Sequence, residues 1–286
     1  MSVPKHLRPD PLVAPAQVDA ASGPLAALVG TPAAGSPQRG GVLLVPGYTG
    51  SKEDFWHLLP LLAAAGRPAT AVDLRGQCDS GGPEDVAAYT IDALAADIAA
   101  LLTAAATPLH LVGHSFGGLV CRAAVLSGAP VQSLTLLGSG PAALGGHRAD
   151  LVAAMRPMLL EGGGVPEVWE VTAALAAGTP ATLAQPPEVR AFVERRFLSS
   201  PAAALLGMGE ALTTAPDRTD ELAKTGVPLL VACGEADDAW APAEQKDMAL
   251  RLGAPYVEFR GAGHSPNVDV PEQVAATLEG FWEPLG

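Results

Sequence analysis

A serine stands between two glycines in the stretch Gly113-His114-Ser115-Phe116-Gly117. The residues before it, Leu109 to Val112, form a short apolar run, and those after it read as a helix of small and apolar side chains. Glycines two positions to either side suit a tight, strained turn from strand to helix, where side chains would collide with neighbouring backbone. Such a turn lifts the Ser115 hydroxyl above the sheet. It also leaves the Phe116 N–H free at a helix start, where negative charge is welcome. The chemistry this suits is nucleophilic attack on an acyl carbon.

A hydroxyl is a weak nucleophile and needs a base. The chain has six histidines. His6 lies in the opening segment, His57 in a predicted helix, His110 inside the strand before the serine, and His147 in a later helical stretch. His114 adjoins the serine, but neighbours at a sharp turn point apart. His264, in Arg260-Gly261-Ala262-Gly263-His264, follows the last predicted strand, at the sheet edge where sites of open α/β folds lie. The base in turn needs a carboxylate to fix its tautomer and balance its charge. Glu235, Asp237 and Asp238 sit together just after the preceding strand. The chain order is serine, acid, histidine.

These residues need a frame. "GVLLVPG" (41–47) reads as a buried strand and "SKEDFWHLLPLLAAAG" (51–66) as a helix capped at Ser51. Residues 90–105 read as a capped amphipathic helix, and further strands and helices alternate through residue 141. Alternation of this kind predicts an α/β fold with a mostly parallel central sheet covered by helices on both faces. The rhythm stops over 142–226, which reads as helices and loops, and resumes at "VPLLVACGEADD". The organisation expected is an N-terminal arm at 1–22, a core made of 23–141 and 227–286, and a helical insertion at 142–226. The arm, rich in Pro and Ala and without periodicity, is expected to lie on the surface or to be partly disordered.

Four segments together resemble α/β-hydrolases of the lipase/esterase type that carry a helical cap: "LLVPGYTGS", "DLRGQCDSGG", "LVGHSFGG", and "GEADD" with "GAGHS". The resemblance spans about residues 25–284. It implies Ser115 as nucleophile, His264 as base and Asp237, three residues after Gly234, as the acid, with Asp238 as the fallback. It also implies the Tyr48 N–H as a second oxyanion donor beside Phe116. Pro46 stands where the family usually has histidine, which removes a loop hydrogen bond but not the backbone geometry. Asp73 and Arg75 are read as loop-shaping residues. Relatives that open epoxides or remove halogens carry aspartate at the turn, so Ser115 argues for acyl transfer.

In capped members of that family the insertion hangs over the nucleophile. Met155, Met158, Trp169, Phe192 and Met208 are therefore the candidates for an apolar pocket, and the expected substrate is a small to medium hydrophobic ester. A thioesterase, a C–C bond hydrolase, a cofactor-free perhydrolase or a slow-turnover ligand-binding receptor would use the same residues. No cofactor and no metal is called for.

Composition narrows the partners. The formal charge is −13 and aromatic residues make up 5%. That combination lacks both the positive charge and the stacking surface of a nucleic-acid binder, and it disfavours anionic membranes. No apolar run reaches the roughly 18–20 residues of a membrane span. No signal peptide is recognised, and a cytoplasmic protein is expected. Cys78, Cys121 and Cys233 are far apart in sequence and match no zinc spacing, which predicts buried free thiols.

Overall fold

The computed structural model describes residues 2–286. Its strands are β1 (Val13–Ala20), β2 (Gly23–Gly30), β3 (Val42–Val45), β4 (Ala69–Val72), β5 (Leu109–His114), β6 (Val131–Leu137), β7 (Leu229–Gly234) and β8 (Tyr256–Phe259). They form one sheet in the order β1-β2-β4-β3-β5-β6-β7-β8. β1 and β2 run antiparallel to their neighbours, and the rest of the sheet is parallel. Every residue of β3 and β7 is buried, as a sheet covered on both faces requires.

The helices are α1 (Leu59–Ala64), α2 (Ile91–Ala104), α3 (Phe116–Leu126), α4 (Gly146–Glu161), α5 (Gly164–Ala176), α6 (Pro180–Leu183), α7 (Pro187–Leu198), α8 (Ala202–Thr214), α9 (Thr219–Ala223), α10 (Pro242–Leu252), α11 (Pro266–Asp269) and α12 (Pro271–Trp282). The sheet separates two apolar layers. On one face Leu94 and Ile98 of α2, Leu119 and Val120 of α3, and Met248 of α10 meet Leu43, Leu111 and Val231. On the other, Leu59 and Leu62 of α1 and Val274, Leu278 and Trp282 of α12 meet Leu44, Val112 and Leu230. Local signals agree with this frame. Thr90 caps α2 by accepting from the Ala93 N–H, and Pro271 opens α12, where its missing N–H costs nothing.

Two expectations are corrected. The arm expected at 1–22 as a surface or partly disordered segment includes a strand, because residues 13–20 pair along their whole length with β2. Pro15 hides this strand in the sequence. It is tolerated because β1 is the sheet edge, where a missing N–H breaks no ladder on the outer side. The helix expected at 51–66 is two pieces, a tight turn at Lys52–Phe55 and then α1, so His57 lies between them rather than in a helix. Pro60 has no N–H to continue a helix from the turn, and the Lys52 N–H is held instead by Asp73 Oδ1 at 2.7 Å.

The stretch between β6 and β7 contains α4 to α9 and no strand. It does not sit apart from the core: Met208 and Leu212 of α8 and Leu222 of α9 belong to the larger apolar layer. Among the described residues no helix is long and apolar enough to cross a membrane. The three cysteines are buried free thiols.

Candidate active site

β5 delivers Ser115 to the junction with α3 at φ 54° and ψ −123°. A positive φ is costly for a residue with a Cβ. Among the described residues only Thr49, Cys78 and Ser115 combine a side chain with positive φ. They lie in the loops that leave β3, β4 and β5, so the strain is concentrated at one edge of the sheet. The glycines around the serine are required by close approach. A Cβ on Gly117 would run into the Pro46 carbonyl oxygen, and one on Gly113 would stand 2.5 Å from that of Gly117. A Cβ on Gly47 would stand 2.9 Å from that of Ser115, so the β3 exit loop passes directly beside the serine.

The fold brings the separate sequence candidates together here. His264 Nε2 is 2.9 Å from Ser115 Oγ, and His264 Nδ1 is 2.9 Å from Asp237 Oδ1. Asp237 is buried, and its carboxylate also accepts from the Ala239 N–H at 2.9 Å and from Gln245 Nε2 at 2.9 Å. Burial pushes this carboxyl's pKa up, but the His264 contact and the other donors outweigh burial and hold it below the ordinary carboxylate range. Asp238 turns the other way and pairs with Arg148 of α4. Glu235 accepts from the Gly261 N–H at 2.7 Å, away from the histidine.

The remaining histidines are placed elsewhere. His110 stacks on Trp282 with ring centroids 4.7 Å apart, His6 stands edge-on to His57, and His147 is exposed on α4. His114 is the instructive case. It packs, as expected of a neighbour at a sharp turn, but its Nε2–H also donates to the His264 carbonyl at 2.9 Å and so fixes the backbone that carries His264. Burial first, and then the adjacent His264, pushes the His114 ring down to about 3, so it stays neutral.

Among the described residues neither the Tyr48 nor the Phe116 main-chain N–H donates to another protein group. Gln77 explains how the first is aimed. Its Nε2 donates to the Gly47 carbonyl at 2.8 Å, and its Oε1 accepts from the Leu74 N–H at 3.1 Å. In a trans peptide the carbonyl and the following N–H point in opposite directions, so holding the Gly47 oxygen fixes the Tyr48 N–H. Asp73 and Arg75 shape loops as expected. Buried Asp73 binds Lys52 Nζ at 2.8 Å, and Arg75 Nη2 binds Asp97 at 2.8 Å. Gln77 and Gln245 were not singled out in the sequence. Gln77 lies inside "DLRGQCDSGG", but no spacing rule marks a glutamine whose partners are main-chain atoms distant in sequence.

A cavity of about 1070 Å³ adjoins His264. Its lining includes Trp169, Val193, Val268, Arg148 and residues 2–5. Of the apolar candidates in the insertion, Trp169 lines it and the others do not; Phe192 and Met208 are buried, and Met155 and Met158 are half-buried. Met208 belongs to the main core, and Phe192 packs with Cys78, Val189 and Val193. Met155 and Met158 pack around Val168, Phe197 and Leu205, beside Tyr48. The physical reason is that α4, α5, α7 and α8 must first bury apolar surface against each other and the core.

Strand order, the strained serine turn and the histidine at the sheet edge agree with one family, and the α/β-hydrolase family model matches residues 42–277. The chain belongs to the alpha/beta hydrolase family. Over 104 residues it is 39% identical to a putative carbamate hydrolase from Variovorax paradoxus, covering 35% of this chain and 39% of that protein. Over 88 residues it is 38% identical to epoxide hydrolase A from Mycobacterium tuberculosis, covering 30% of this chain and 27% of that protein. The matches thus span well under half of these relatives. A thermophilic esterase from Thermogutta terrifontis has the same fold with a TM-score of 0.72 and 24% identity, over 95% of this chain and 99% of that one.

Proposed function

We propose that this alpha/beta hydrolase is a serine esterase that cleaves carboxylic esters of small to medium hydrophobic substrates through an acyl-enzyme. Ser115 Oγ attacks the acyl carbon as its proton passes to His264 Nε2. Asp237 holds the tautomer of His264 and balances its charge. The Tyr48 and Phe116 N–H groups receive the oxyanion, each worth about 3–4 kcal/mol in such sites. His264 returns the proton to the leaving alcohol, and water activated by the same nitrogen releases the acid. The observation that carries the reading is the unbroken relay of two 2.9 Å contacts from Asp237 through His264 to a serine at a strained turn. Serine in place of a carboxylate at this turn favours acyl chemistry over epoxide opening.

Val193, Val268 and Trp169 suit an uncharged carbon chain, while Lys5, Arg190 and Glu194 of the same cavity are exposed. Kinetic assay decides the class. Para-nitrophenyl esters of rising acyl length are compared with a thioester and, in view of the relative just described, a carbamate. A fluorophosphonate is expected to label the native protein and to leave Ser115→Ala unlabelled, with turnover nearly abolished. Labelling that persists in Ser115→Ala overturns the assignment.

A further inference from the structure

The segment 2–12 has no helix or strand, yet it is fixed at several points beside the candidate site. Arg196 Nη2 donates to the Ser2 carbonyl at 2.6 Å, and the same buried guanidinium binds Asp54 through Nη1 at 2.7 Å. The Lys5 N–H donates to His57 Nε2 at 3.0 Å, and Lys5 Nζ to the Asp269 carbonyl at 2.8 Å. Asp269 Oδ2 in turn accepts from the N–H of Gly263, the residue before His264, at 2.9 Å. Trp56 Nε1 donates to the Arg8 carbonyl at 2.9 Å. Val3 and Leu7 pack against the apolar cluster that contains Val189 and Phe192 of α7.

Ordering a segment without regular structure costs conformational entropy at every residue, so this many fixed points call for an explanation. The cavity supplies one. Ser2, Val3, Pro4 and Lys5 line the same space as His264 and Trp169. They bridge from α7, through Arg196, to the loop that carries the base, through Asp269.

We propose that residues 2–5 are a wall of the substrate cavity and set the length of carbon chain it accepts. The proposal rests on the hydrolase reading for the identity of that chain as part of an ester, but not for the wall itself. Without the wall the cavity opens between α7 and the His264 loop, and a longer chain finds no stop.

The test is binding rather than turnover. In the Ser115→Ala background, calorimetry measures the affinity of unreactive methyl n-alkyl ketones of increasing chain length. With the arm present, affinity is expected to rise about fourfold per methylene and then stop at the length where the chain meets the wall. Removing residues 2–6 is expected to move that break to chains at least two methylenes longer, with cooperative thermal unfolding as the check on the fold. Val3→Trp, at a half-buried position on the lining, leaves the Ser2 and Lys5 anchors in place and is expected to move the break the other way; it decides the matter should the shortened chain fail to fold. An unmoved break in either folded variant, or no binding at any length, overturns the proposal. Absence of turnover and fluorophosphonate labelling in the native sequence would remove the hydrolase reading and leave these binding curves to judge the wall alone.

Discussion

Adjacent residues at the site have separate duties. Asp237 and Asp238 follow one another, yet one carboxylate is buried against His264 and the other is mostly exposed and paired with Arg148. Asp237→Asn is expected to lower kcat by about 10⁴ with the fold intact, because the amide cannot hold the reactive tautomer. Asp238→Asn should stay within a few-fold, since exposed ion pairs contribute little. Steady-state kinetics on the two variants checks the assignment, and the opposite ranking would move the acid by one residue. Gln77 acts one step further out. Gln77→Leu leaves the Gly47 carbonyl held by the Gly50 N–H alone, at 3.0 Å, so the Tyr48 N–H is aimed less firmly. We expect kcat to fall on the order of tenfold with KM little changed, because the donor is used mainly in the transition state.

Among the elements, the joint of β5 and α3 bears the tightest constraints. The helix start is pressed against the loop leaving β3, so that Gly117 leaves no room for a methyl group beside the Val45 and Pro46 carbonyl oxygens. Those contacts are backbone, which cannot swing aside as a side chain can. Gly117→Ala is therefore expected to cost about 1–3 kcal/mol of stability, as overpacking does elsewhere. It should reduce turnover more than stability alone explains, because α3 must shift relative to the loop leaving β3, which carries the proposed oxyanion donor Tyr48. Urea unfolding measured beside kcat separates the two effects. The split of 51–66 into a turn and a helix belongs to this scale as well. The Lys52 N–H and ammonium of the turn both go to Asp73, which ties the exit of β3 to the exit of β4.

Across the whole molecule, the insertion and the core share buried polar contacts close to the site. Arg196 of α7 pairs with Asp54 at 2.7 Å, both side chains almost wholly buried. Tyr48 Oη donates to the Leu205 carbonyl of α8 at 2.9 Å, so the residue proposed as an oxyanion donor also holds the insertion. Removing one partner of a buried pair strands the other charge. Arg196→Leu is accordingly expected to destabilise the fold by about 3–5 kcal/mol, read as a lower urea midpoint. Part of that loss should appear as a loosened segment 2–5, because the same arginine holds the Ser2 carbonyl. Faster hydrogen exchange near residue 2 would report it.

The sequence by itself determined the α/β fold class, because strand and helix periodicity and turn glycines are local properties that survive without tertiary context. It also marked Ser115, His264 and the acids Glu235, Asp237 and Asp238 as candidates, since a Gly-fenced serine and polar residues at strand exits are visible in single short stretches; the resemblance to the family singled out Asp237. Other features depend on contacts between distant residues. The pairing of Val13–Ala20 was hidden by Pro15, which only an edge position makes tolerable. The fate of Met155, Met158, Phe192 and Met208 depended on which neighbours each side chain met, and apolar composition cannot distinguish packing surface from pocket surface. Gln77 and Gln245 act on groups brought near by the exits of β3, β4 and β7, and an amide side chain carries no pattern that announces such a partner. The tertiary structure decided these points because each depends on long-range proximity, which local sequence patterns do not encode.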